Sequence, residues 1–149
     1  MGTWGYRSFE NDSSLDWAAS LGSGGLKSIE ETFDAVLNSA DAPEAPACDE
    51  GVAAAESLAA LLGKGAAEAP AEVTTWVSKQ KQSPPAPLVA KARASIERIL
   101  AESELKDLWE ESGDAEKWRN EVLGLMQRIP LADSFPPVHN REKPWWKLW

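Results

Sequence analysis

Apolar residues recur at steps of three and four along nearly the whole chain, and no run alternates β-branched and polar residues as a half-buried strand does. The pattern predicts an all-α fold, a single compact bundle of about six or seven short helices. A first helix is expected from Ser13 to Leu21, with Asn11 and Asp12 as caps, Ser13 and Asp16 approximating a capping box, and Gly22 as the stop. A second, from Leu26 to Ala40, puts Leu26, Ile29, Phe33, Val36, Leu37 and Ala40 on one stripe and turns Glu30, Glu31 and Asp34 to water. After the link DAPEAPACD a third starts near Asp49, carries Val52, Ala55, Leu58, Ala59 and Leu62 inward, and ends at Gly63. Its small alanine face permits close helix contacts.

Pro70 suits the first turn of a short fourth helix reaching Lys79, with Val73, Trp76 and Val77 on one face. QKQSPPAP then breaks the pattern. Leu88 to Leu100 is the strongest amphipathic segment, and a continuation or a short separate helix carries Leu105, Leu108 and Trp109 before Ser112 and Gly113 end it. Asp114 caps a last helix that turns Trp118, Val122, Leu125, Met126 and Ile129 inward and stops before Pro130. The organisation read from this is a helical domain over residues 1–130, with an aromatic lead, and a C-terminal arm over 131–149.

Length and charge narrow the function classes. At 149 residues the chain is one domain in size, and no apolar run approaches the ~20 residues needed to span a bilayer. The opening MGTWGYRSFEND lacks the basic and apolar regions of a secretory leader and has Tyr6 where a myristoylation motif wants Ser or Thr, so a cytoplasmic location is expected. One cysteine, Cys48, excludes an internal disulfide, and with one histidine it cannot make an ordinary zinc site. A formal charge of -9 argues against nucleic acid and makes a basic partner the natural expectation.

Few residues carry chemistry of their own. LGSGGLKS lacks both the spacing and the strand context of a phosphate loop and reads as a helix–helix turn. His139 has no nucleophile to pair with in FPPVHNREKP. Cys48 sits at the front of the third helix, where the helix dipole can lower a thiol pKa, although an ordinary thiol is the simpler reading. ESELKDLWEESGDAEKW concentrates seven carboxylates against two lysines, and helical spacing sets most of them opposite Leu105, Leu108 and Trp109. This is a solvated face, with Glu104, Asp107, Glu110 and Glu111 available as a docking surface for a basic protein. No catalytic residue, metal ligand or cofactor site is assigned.

The opening MGTWGYRSFENDSSLDW, with LAALLG and ESELKDLWEESGDAEKWRNEV further on, resembles a bacterial family catalogued as domain of unknown function 4259. The resemblance covers residues 1–128 and rests most on the opening pattern of a small residue, Trp, Gly, then Phe-x-Asn-Asp and Asp-Trp, and next on LWEES. It implies a small bacterial helical domain. It brings no activity, substrate or site residues.

Two features remain to be placed. Trp4, Tyr6 and Phe9 crowd the lead before the first helix, and either plug the core or line a site; as a site, the lining would be Trp4, Tyr6, Glu10, Asn11, Asp12, Asp16 and Trp17. The end of the chain, REKPWWKLW, is opposite in sign to the rest, with Trp145, Trp146, Lys147 and Trp149 as its candidate contacts. It can fold back on the acidic helices, dock in a partner protein, or touch a membrane surface, the last disfavoured by the acidic body. The expected function is a non-catalytic protein-binding module, of which neutralisation of a basic effector, as by small acidic immunity proteins, is one form. The alternatives are an enzyme or small-ligand binder with its site at the aromatic and acidic opening, and membrane-surface recruitment through the arm. The oligomeric state is open.

Overall fold

A computed structural model describes residues 3, 5–81 and 83–131. Asn11 is extended and its side chain accepts a hydrogen bond from the Ser14 backbone N–H at 2.8 Å, which caps α1, Asp12–Leu37. The expected box of Ser13 and Asp16 is not used, because the cap falls at Asn11 and both residues already lie inside the helix. Gly22 does not stop the helix either. The chain reverses at Gly25, whose φ of 60° and ψ of -151° form a combination open essentially to glycine alone. Across that corner Trp17 Nε1 donates to Thr32 Oγ1 at 2.8 Å, fifteen positions apart in sequence. A straight helix would hold two such residues ~22 Å apart, so the two arms of α1 lie side by side as a hairpin. The pair of helices expected from the sequence is present, with its corner at the third glycine of LGSGGLKS rather than the first.

Five further helices follow among the described residues: α2, Ala45–Leu61; α3, Ala71–Ser78; α4, Ala86–Ala101; α5, Glu104–Ser112; and α6, Ala115–Arg128. α2 begins a turn earlier than Asp49, since Pro46 suits a first helical turn and Glu104 Oε1 accepts the Ala45 N–H at 2.7 Å. Ser103 decides that α5 is separate from α4. Its hydroxyl accepts from the Lys106 N–H at 3.0 Å as an N-cap and donates to the Ile99 carbonyl at 2.7 Å, closing one helix while opening the next. Gly113 ends α5 in the left-handed region at φ 90°. Asp114 occupies the cap position of α6 without a side-chain capping bond; Ser112 Oγ accepts its backbone N–H at 3.1 Å instead.

α2 is the central helix and packs against all five others. Val52, Ala53, Ala54, Ala55, Leu58 and Ala59 are all buried, so it has no wide polar face, and small side chains let the neighbours close on it. At Gly51 a Cβ would meet Val36 Cγ2 at 3.1 Å and Ile99 Cδ1 at 3.4 Å, so α1 and α4 press closely on the helix there. Around this helix the core is filled by Leu21, Ile29, Phe33 and Val36 of α1, Val89, Ile96 and Ile99 of α4, and Trp118 and Leu125 of α6.

Two arginines of α4 satisfy the exposed carbonyl ends of other helices. Arg98 donates to the carbonyls of Leu37, Ser39 and Asp41 after α1, and Arg93 to those of Met126 and Ile129 at the end of α6. Glu30 and Asp34, expected in water, both hold Lys91 of α4, at 2.9 and 2.8 Å. One carboxylate is buried outright. Glu56 of α2 is 2% exposed, receives both guanidinium nitrogens of Arg128 at 2.9 Å, and accepts the Ser8 hydroxyl at 2.6 Å. The forked pair raises the pKa of Arg128, through the hydrogen bonds to Glu56 above all, and ties the lead and the end of α6 to the central helix. No helix among the described residues is long and apolar enough to cross a membrane.

Candidate functional site

The lead answers the plug-or-site question residue by residue. Phe9 is buried in the core and Ser8 is fixed on Glu56, so this part seals the bundle. Tyr6 is half-buried and Arg7 exposed, and both face a cleft of about 940 Å³. Thr3 bridges to Asn11, turning the lead back over the start of α1. The turn that follows is closed by the Glu10 N–H on the Arg7 carbonyl at 3.1 Å, while Glu10 Oε1 accepts the Arg7 N–H at 3.2 Å. Gly5 makes room for that carboxylate, which a Cβ there would strike.

The cleft lies between the lead, the starts of α1 and α2, and one face of α5. Its apolar side is formed by Tyr6, Ala45, Pro46, Leu105, Leu108 and Trp109. Leu105 is buried and Trp109 half-buried, whereas Leu108 is 48% exposed, a large apolar side chain open to water on the cleft wall. Leu108 was expected inward; Leu105 and Trp109 pack on the core, and Leu108 is left at the edge of that stripe, facing the opening. Glu10, Asp12, Asp49 and Asp114 supply the carboxylates, against Arg7 as the cation of the lining. Carboxylates outnumber that cation, and low-dielectric walls focus the net negative potential, which attracts cations.

Asp49 is the deepest of these groups. It also lines a void of about 10 Å³ beneath the cleft, beside Val52, Trp109, Trp118 and Val122, large enough for about one water. Burial, with the neighbouring charge of Glu50 second, pushes its carboxyl up to about 7 from an ordinary 3.8. The sequence placed Asp49 only as a helix start. Its position in the second turn of α2, facing α5, depends on long-range packing that no local signal carries.

Of the expected lining residues, Tyr6, Glu10, Asn11 and Asp12 border the cleft. Asn11 is spent as the α1 cap and is buried. Asp16 is exposed on α1 away from the cleft, and Trp17 is buried with its N–H on Thr32, so neither belongs to it. Trp4 lies outside the described residues, as do His139 and the arm residues Trp145, Trp146, Lys147 and Trp149. On the acidic face, Glu104 is engaged on α2 and Glu110 pairs with Lys106 at 2.9 Å, leaving Asp107 and Glu111 exposed beside them. The reactive-thiol option for Cys48 is overturned: the side chain is buried, its Sγ lies 3.6 Å from the Pro43 carbonyl, and burial pushes the thiol up to about 11. The dipole of α2 does not offset that desolvation.

No group of three or more His, Cys, Asp or Glu among the described residues is arranged to hold a metal ion. A family model described as "Domain of unknown function (DUF4259)" matches residues 2–121, a span that contains every residue of the cleft lining and stops within α6, short of Arg128 and the arm. No curated protein and no solved structure matches the chain.

Proposed function

The chain belongs to the DUF4259 family, whose description assigns no activity, and we propose that it is a protein-binding module whose cleft receives a basic segment carrying an aromatic or large apolar side chain from another protein. The single observation that carries this reading is the pairing of an exposed Leu108 and half-buried Trp109 with four carboxylates around one opening. An apolar wall that is not covered costs solvation, and a carboxylate rim selects its cover by charge. A cytoplasmic basic partner fits both, and Asp107 and Glu111 extend the same negative field along α5.

The test is calorimetric titration of the full chain with a synthetic peptide alternating Lys and Trp, beside one alternating Glu and Trp. The Lys peptide binds, its affinity falls as salt rises, and Leu108→Asp or Asp12→Lys weakens it by about tenfold or more. Equal binding of the two peptides, or indifference to both substitutions, overturns the reading.

A second reading has Asp49 in its favour, since a cleft carboxyl half-protonated near neutral pH is poised for general acid–base work. Hydrolysis of chromogenic esters or glycosides by the full chain that disappears in Asp49→Asn would favour it over binding alone.

A further inference from the structure

We infer that residues 141–149 of the chain itself dock in the cleft in cis, so that the arm is a built-in competitor of the partner segment. The inference rests on the reading of the cleft as a site for basic aromatic segments, and adds what regulates it.

Three observations meet here. The first is charge: Arg141, Lys143 and Lys147 stand against Glu142 in a segment of an otherwise acidic chain, while the cleft sets Glu10, Asp12, Asp49 and Asp114 against Arg7. The second is chemistry: three of the chain's eight tryptophans fall in its last five residues, each able to bury ~150–250 Å² on an apolar wall such as Leu108 and Trp109. The third is reach. α6 starts beside Asp114 on the cleft and its 14 residues carry the chain ~21 Å away. From Leu131, the last described residue, fourteen further residues lead to Trp145, and extended they span ~46 Å, about twice the distance needed to return. Tethering then supplies the arm at an effective concentration of about 1 mM, so a segment with an intrinsic Kd of about 10–100 µM occupies the cleft most of the time and weakens an external competitor by about 10- to 100-fold.

The family match sharpens the assignment. The cleft lies wholly inside the matched residues 2–121 and the arm wholly outside them.

The experiment uses the full chain and a full-length variant, Trp145→Ser/Trp146→Ser/Lys147→Glu/Trp149→Ser, which alters no described residue. Hydrogen exchange of the amides in Leu105–Ser112 and Tyr6–Glu10 is compared, and both proteins are titrated with the Lys–Trp peptide. Expected are faster exchange in both segments and tighter peptide binding, by at least about tenfold, in the variant. Unchanged exchange with unchanged peptide affinity overturns the arm inference while leaving the cleft reading standing. Faster exchange with no peptide binding by either protein keeps the arm in the cleft and removes the partner reading. Protection that grows with protein concentration shows the arm seated in a second copy and overturns docking in cis.

Discussion

Arg128→Met removes the guanidinium that holds Glu56 and leaves a carboxylate 2% exposed with the Ser8 hydroxyl as its remaining hydrogen bond. Breaking a buried pair from one side costs about 3–5 kcal/mol, because the other charge stays buried and uncompensated. For a domain whose whole stability is about 5–15 kcal/mol this is a fifth or more of the total, and at this size it lowers Tm by about 10 °C or more. The Arg128 bond to the Lys64 carbonyl at 2.8 Å goes too, and adds about 1 kcal/mol. The assay is urea denaturation of four proteins: wild type, Arg128→Met, Glu56→Leu and the double variant. Apolar replacement of both partners leaves only the Ser8 hydroxyl and the exposed Lys64 carbonyl without their partners, so the double variant recovers most of the loss and the cycle gives a coupling energy above about 2 kcal/mol. A single-variant loss below about 1 kcal/mol with an unchanged denaturant slope would refute the argument, since Glu56 would then be satisfied without Arg128.

Three other outcomes follow from the geometry. Asp49 is raised in the fold, so its ionisation cost is absent below about pH 4, grows as pH rises, and is complete above about 7; the rise is equivalent to ~4 kcal/mol, and solvent in the cleft leaves about 2 of it. Asp49→Asn is therefore neutral in denaturation at pH 4 and stabilising by about 2 kcal/mol at pH 8, and equal effects at both pH values would contradict the assignment. Gly25→Ala forces a side chain into φ 60°, ψ -151° and costs about 1–3 kcal/mol by the same assay, whereas Gly22→Ala, where a Cβ meets nothing, does not destabilise. Cys48 reacts with an aromatic disulfide reagent only after denaturant is added; rapid labelling of the native protein would place the thiol at the surface.

The helices were legible because their causes are local. Steps of three and four, Asn11 as a cap, Gly113 as a stop and prolines in first turns mark each element within a few residues. The errors came where a distant residue decided the outcome. Glu104 lengthens α2 at its start, fifty-nine positions away in sequence from the Ala45 it caps, and Arg98 and Arg93 finish helices to which they do not belong. At LGSGGLKS three glycines offered a corner; the chain turns at Gly25, and Trp17 bonds Thr32 across it.

The cleft was half legible for the same reason. Tyr6, Glu10, Asn11 and Asp12 are contiguous with the aromatic lead and could be named from it, yet their other wall comes from α2 and α5. Leu105, Leu108 and Trp109 form a helical stripe that reads as core in any sequence; how α5 is set against its neighbours, which the sequence does not show, leaves Leu108 facing outward. Asp49 carried no signal at all, being one carboxylate among twenty-four. What makes it distinctive is that the central helix, buried along most of its length, brings Asp49 of its second turn to the cleft between the lead and α5. The same two features, a wall that the bundle does not cover and a carboxyl that burial raises, are those that a basic aromatic segment would relieve, which is why binding at this cleft should be tighter above pH 7, with Asp49 ionised, than at pH 5.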